Sequence, residues 1–170
     1  MTDVSGWNPA TTKDQLAFPS PPASEAEKPG PRLHIILAED NPADALLVGE
    51  ALNLYQLSAV LHIFDDGEKA FEFIQNTEHD DFAPCPALAL LDLNLPRKSG
   101  LEILARIRQS PKFKDVPVVI VTSSDSPKDR AETARLGANR YFRKPSGYEE
   151  FLRLGQVVQE VIDEQQAPSS

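Results

Sequence analysis

Cysteine is almost absent. Cys85 is the only one in 170 residues, so no internal disulfide can form and a reducing compartment is expected. It lies between Pro84 and Pro86 with no base beside it, which argues against a catalytic thiol. Long apolar runs are missing as well. None approaches the roughly 20 residues that a membrane helix needs. The N-terminus lacks the basic start and apolar run of a secretory signal, so a cytoplasmic protein is expected. Basic residues are scarce: 17 Lys and Arg stand against 26 Asp and Glu, a formal net charge of -9. Non-specific nucleic-acid binding uses Lys and Arg to displace counterions from phosphates, so the chain is a poor candidate for it. Neither G-x-x-x-x-G-K-[ST] nor G-x-G-x-x-G occurs, which counts against a nucleotide-binding enzyme.

What is present divides the chain into three. Residues 1–31 carry Pro9, Pro19, Pro21, Pro22, Pro29 and Pro31 among Ser, Thr, Ala and Glu. Prolines remove backbone donors and little apolar surface is available to bury, so a disordered arm is expected, with Trp7 and Phe18 as mobile aromatics. Residues 164–170 read as a polar tail, leaving one domain over 32–163. Within it, apolar runs alternate with helical spacing. Leu33 to Ala38 is a strand that stops at Glu39-Asp40, and Asn41-Pro42 opens a helix as cap and first residue. Ala59 to Phe64 is a second strand, followed by a helix after Asp65-Asp66-Gly67 and a long loop to Pro86. Ala87 to Leu91 is a continuous apolar strand ending at Asp92. Leu101, Ile103, Leu104 and Ile107 mark the next helix, and Val116 to Val121 the next strand, ending at Thr122. Ser126-Pro127 caps a weakly apolar helix, and Arg140 to Arg143 is a short strand ending at Lys144-Pro145. The last helix carries Phe151, Leu154, Val158, Val161 and Ile162. Five β-α units with continuous apolar strands predict a doubly wound α/β fold: a five-stranded parallel sheet of flavodoxin-like order 2-1-3-4-5, flanked by five helices.

The polar residues fall where such a fold binds ligands. Asp40 follows the first strand, Asp92 the third, Thr122 the fourth and Lys144 the fifth. Ligands of open parallel sheets sit outside the carboxyl ends of the strands, so the fold gathers these residues on one rim. Glu39, Asp40 and Asp92 would crowd a small pocket, and a hard divalent cation such as Mg2+ relieves that crowding. Lys144 adds a positive charge for Asp92 at rest and for phosphoryl oxygens later. Cation and lysine together suit the spread charge of phosphoryl transfer, with the Asp92 carboxylate as nucleophile.

At these positions the sequence resembles the response-regulator receiver family. The resemblance rests on Glu39-Asp40-Asn41, on Asp92-Leu93-Asn94-Leu95-Pro96 with Gly100, on Thr122, and on Tyr141 three residues before Lys144-Pro145. It covers about Arg32 to Ile162. It implies Asp92 as the phosphorylation site, Asp40 as a direct Mg2+ ligand, Glu39 as a ligand through water, and Asn94 as the donor of a backbone carbonyl to the metal. It implies further that Lys144 binds the phosphoryl group, that Thr122 shifts toward it and that Tyr141 rotates inward behind it. The implied function is a switch of protein contacts rather than a turnover enzyme, within a two-component phosphorelay fed by a sensor histidine kinase. The loop from about Thr77 to Pro86, the stretch Leu95 to Gly100 and the stretch Ser110 to Pro117 also resemble the stand-alone regulators paired with bacterial phytochromes, which implies a bacteriophytochrome as the kinase.

Two rivals stay in view. An aspartate-nucleophile phosphatase would also use Asp and Mg2+, but usually carries a second Asp two residues after the nucleophile, where this chain has Asn94. A non-phosphorylated receiver-like scaffold would need no complete site. His34, His62 and His79 read as solvated or core residues rather than phospho-donors. Leu152 and Val157 leave the stripe of the last helix, which keeps open both core packing and a homodimer face made by the last two helices and last strand.

Overall fold

Continuous apolar runs need cover on both sides, and every residue of β4 (Leu88–Leu91) and β5 (Val118–Thr122) is buried. These strands lie in the middle of a sheet that also contains β1 (Gln15–Leu16), β2 (Leu33–Ala38), β3 (Ala59–Phe64) and β6 (Arg140–Arg143). The computed structural model describes residues 15–16 and 32–167. The sheet order is β1-β3-β2-β4-β5-β6. β2 to β6 are parallel, in the expected 2-1-3-4-5 order. β1 is an addition to that expectation. It pairs antiparallel on the outer edge of β3, with Gln15 opposite His62 and Leu16 opposite Leu61. The arm expected over residues 1–31, Trp7 and Phe18 included, otherwise lies outside the described residues.

Alternate residues of each strand face opposite sides, so the sheet carries two cores. Ile35, Leu37, Leu90, Val119 and Val121 meet α1 (Pro42–Leu54) and α6 (Leu154–Gln166) on one side. Ile36, Ala38, Leu91 and Ile120 meet α2 (Gly67–Thr77) and α3 (Gly100–Gln109) on the other. α4 (Pro127–Arg135) buries only Thr133, as its weak apolar pattern suggested. The helices start where polar caps satisfy their free amides: Asn41, Asp66, Ser99 and Ser126 each accept from the first turn, and Ser99 forms a capping box with Glu102.

The expected last helix is in two pieces. A single turn, α5 (Tyr148–Phe151), is followed by a turn at 152–153 and then α6. α6 runs on to Gln166, past residue 164 where a polar tail was expected to begin; residues 168–170 are outside the described set. Leu152 and Val157 are partly buried against the α1–α6 core, which accounts for their apolar character within this chain.

The amino end of the strands is tied down by side chains reaching backbone carbonyls. Lys112 Nζ donates to the carbonyls of Thr77, Asp80 and Ala83 at 3.3, 2.6 and 2.8 Å, closing the long loop between α2 and β4. Arg108 donates to the carbonyls of Lys114, Val116 and Gly137 and so joins the end of α3 to the turns before β5 and β6. Nearby, His34 Nδ1 and His62 Nε2 lie 3.0 Å apart with their rings stacked at 5.2 Å. His62 is buried, as a core histidine was expected to be.

Candidate functional site

The sheet ladder continues one residue past the strand ends at the opposite, carboxyl rim. The Glu39 amide donates to the Phe64 carbonyl at 3.0 Å, the Asp92 amide to Ala38 at 3.0 Å, and the Lys144 amide to Thr122 at 2.8 Å. Backbone pairing therefore sets Glu39 beside Asp92 and Lys144 beside Thr122. The loop after Asp92 folds back over it: the Gly100 amide donates to the Leu93 carbonyl at 3.1 Å. A Cβ on Gly100 would overlap the Asp92 carbonyl oxygen, so glycine is the residue this approach permits.

The side chains converge. One oxygen each of Glu39, Asp40 and Asp92 lies within 4.8 Å of the others. Lys144 Nζ is 2.8 Å from Glu39 Oε1, 2.8 Å from Asp44 Oδ2 and 3.0 Å from Asp92 Oδ2. An ammonium has three N–H donors, and each has a carboxylate to meet. Asp92 Oδ1 accepts from the Asn94 amide at 3.2 Å, which brings the Asn94 backbone beside the carboxylate. Glu39 Oε2 accepts from the Asn41 amide at 3.1 Å. Glu39 and Asp92 are buried, whereas Asp40 is exposed.

Burial and ion pairing act together on Glu39 and Lys144. Desolvation pushes the Glu39 carboxyl up to about 7, against the pull of Lys144 and the Asn41 amide. Burial alone would lower the Lys144 pKa, but the hydrogen bonds to Asp44 and Glu39, with the charge of Glu39, outweigh it and hold the ammonium well above its usual range. Lys144 is therefore a permanent cation here. The three neighbouring carboxylates offer only hard oxygen donors, the set that a small divalent cation prefers, so the residues present fit such an ion.

Thr122 is fully buried, and its Oγ1 accepts from the Ser124 amide at 3.4 Å. Tyr141 is half-buried on β6, and its hydroxyl donates to the Ser124 carbonyl at 3.0 Å. Arg130 of α4 lies over the Tyr141 ring, 4.3 Å from its centroid, and 3.6 Å from Asp125. The fold thus brings together every residue singled out at this rim: Glu39, Asp40, Asp92, Asn94, Thr122 and Lys144, with Tyr141 behind. Two neighbours of these residues were missed. Asp44 is a third carboxylate on Lys144, and Arg130 is the ring partner of Tyr141. The sequence offered one signal for Asp44, an acid in the first turn of a helix that starts at the rim.

Comparison with known proteins agrees with this geometry. The family model for the response regulator receiver domain matches residues 35–154. Response regulator Rcp1 of Synechocystis sp. is 36% identical over 134 residues, covering 79% of this chain and 91% of that protein. The structure of the phosphorylated cyanobacterial phytochrome response regulator RcpA superimposes with a TM-score of 0.71 at 31% identity, over 82% of this chain and all of that one. The Mn2+-bound form of Rcp1 superimposes with a TM-score of 0.67 at 37% identity, over 76% of this chain and 93% of that one. With its parallel sheet in 2-1-3-4-5 order and its acids and lysine on one rim, this chain belongs to the response regulator receiver domain family.

Proposed function

We propose that Asp92 accepts a phosphoryl group from a sensor histidine kinase and that the chain then switches its protein contacts. The observation that carries this reading is Lys144 Nζ at 3.0 Å from Asp92 Oδ2, beside three carboxylates grouped for a cation. The Asp92 carboxylate attacks phosphorus in line. The P–N bond to the donor imidazole breaks, its electron pair returns to the ring, and solvent supplies the proton that the ring takes up. Asp40 and Asp92 with the Asn94 carbonyl would hold Mg2+ directly and Glu39 through water; the ion would neutralise charge on the transferring group. Lys144 moves one donor from the Asp92 carboxylate to a phosphoryl oxygen. Thr122 turns its hydroxyl toward the same group, and Tyr141 fills the space behind it.

Asn94 stands where a phosphatase of this chemistry carries its general acid, so switching is favoured over turnover. The likeness to RcpA, a phytochrome response regulator, supports a phytochrome-type kinase as the donor. No helix among the described residues is long and apolar enough to cross a membrane. In this reading the exchange takes place in the cytoplasm. α4, β6 and the last helix, here split into α5 and α6, form the face we assign to partner contacts, a second copy included. Residues 32–163 are the receiver unit in this reading, with 1–31 and 164–170 as extensions.

The test is labelling by acetyl phosphate. Label should form only with Mg2+ present, should be acid-stable and base-labile as an acyl phosphate, and should vanish in Asp92→Asn while the variant keeps its circular dichroism. Undiminished label in that variant would overturn the assignment.

A further inference from the structure

Asp44 has no place in the receiver signature that identified the site, yet it touches Lys144 as closely as any other group. Its Oδ2 lies 2.8 Å from Lys144 Nζ. It projects from the first turn of α1, after the cap Asn41, which already serves the free amides of that turn. Asp44 stands outside the group of three carboxylates that fits a cation. It also lines an open cleft of about 510 Å³, together with Ser123, Lys144 and Tyr148.

The three partners of Lys144 meet different fates in the phosphoryl transfer proposed above. Asp92 becomes an acyl phosphate and loses its negative carboxylate. Glu39 is drawn toward the cation. Asp44 alone keeps its charge and its position, because neither reaction nor metal claims it. A lysine with a four-carbon stem has rotamer freedom to lose, and a divalent cation nearby repels it. An acid held on the far side of the ammonium offsets both effects, and does so before the donor arrives.

We propose that Asp44 is a positioning residue for Lys144. It holds the ammonium on the α1 side of the pocket, so that Nζ trades one hydrogen bond, from the Asp92 carboxylate to a phosphoryl oxygen, without leaving its place. This rests on the phosphoacceptor reading.

The experiment compares the full chain with Asp44→Ala, Asp44→Asn and Asp44→Glu. Initial rates of labelling by acetyl phosphate and affinity for beryllofluoride are measured at saturating Mg2+, Mg2+ affinity separately, and the Lys144 ammonium is followed by 15N NMR. Loss of a charge-assisted anchor should lower the labelling rate and beryllofluoride affinity about tenfold in Asp44→Ala, less in Asp44→Asn, with recovery in Asp44→Glu. Mg2+ affinity should change by less than about twofold, since Asp44 is not a ligand. The Lys144 ammonium signal, slowed in exchange by its three partners, should broaden in Asp44→Ala. The opposing expectation has the opposite sign: if Asp44 acted only through charge, its removal would draw the anionic donor in and raise the rate. A raised or unchanged rate in Asp44→Ala, or an equal loss of Mg2+ affinity, would overturn the inference. Absence of label in the unaltered chain would instead overturn the phosphoacceptor reading.

Discussion

At the amino end of the strands Lys112 donates to three backbone carbonyls; at the carboxyl end Lys144 donates to three carboxylates. The residue type and the number of bonds are the same, and both sit on loops beside the sheet. The difference lies in the acceptors. Backbone carbonyls neither titrate nor move independently of the chain, so Lys112 acts as a staple on the α2–β4 loop. Carboxylates can be protonated, can turn to a cation or can become acyl phosphates, and in the reading proposed above each bond of Lys144 except that to Asp44 is exchanged. The same contrast holds between the buried acids of the rim and the buried His62 beside half-buried His34. One end compensates charge, and the other avoids it.

Swapping each lysine for methionine would break or confirm this contrast most directly. Lys144→Met removes the donor we assign to the transferring group, and should lower acetyl phosphate labelling by about a hundredfold or more. Lys112→Met should leave labelling within about twofold, but destabilise the chain by about 2 kcal/mol, because three carbonyls lose a charged donor. Urea denaturation and labelling on both variants read the two effects. Equal loss of labelling in both would show that the staple and the site are one unit.

Acid separates the two ends by sign. Burial and the neighbouring His34 lower the pKa of His62 to about 3, against 6.5 in the unfolded chain. Between those values the unfolded state binds a proton that the folded state refuses, so stability falls as pH drops from 6.5 toward 3. Glu39 runs the other way: its value is about 7 folded and 4.5 unfolded. In that window the folded, metal-free chain holds the extra proton. Its contribution is complete below pH 4.5 and is lost as pH rises through 7. At pH 5 each contribution is about 2 kcal/mol, with opposite signs. These two groups therefore nearly cancel in metal-free protein between pH 7.5 and 5. Stability in Glu39→Gln should fall on acidification and stability in His62→Phe should rise, as read by urea midpoints at the two pH values. Mg2+ favours the charged carboxylate and should make the unaltered chain behave like Glu39→Gln. Parallel slopes in the two variants would remove the contrast.

The sequence made much of the fixed framework legible. β2 (Leu33–Ala38) and β3 (Ala59–Phe64) have the bounds read from their largely apolar runs, because strands covered on both sides leave a near-continuous pattern. Asp92, Thr122 and Lys144 could be placed together because each follows a strand, and parallel strands end on one rim. What stayed hidden depends on contacts through space between elements far apart in the chain. β1 has two residues and no apolar run; it is held by backbone pairing to β3. The Asp44–Lys144 bond spans 100 positions, and nothing in either local pattern announces it. The break at 152–153 falls inside a continuous apolar stripe, since Leu152 packs on the same core as Phe151 and Leu154.

Arg130 offers the smallest of these effects, and it tests whether the switching proposed for the carboxyl rim extends to Tyr141. Its guanidinium covers the ring from α4 while the tyrosine hydroxyl donates to Ser124. The inward rotation proposed for Tyr141 would give up both contacts. A cation over an accessible ring contributes on the order of 0.5–1 kcal/mol. Arg130→Ala should therefore favour the inward state and tighten beryllofluoride binding about threefold, with Arg130→Lys between the two. The effect should disappear when Tyr141 is already alanine, because the contact being lost is with its ring. An equal gain in the Tyr141→Ala background would place the effect of Arg130 in its long-range charge, and Tyr141 would then belong with the fixed parts of the sheet rather than with the rim that moves.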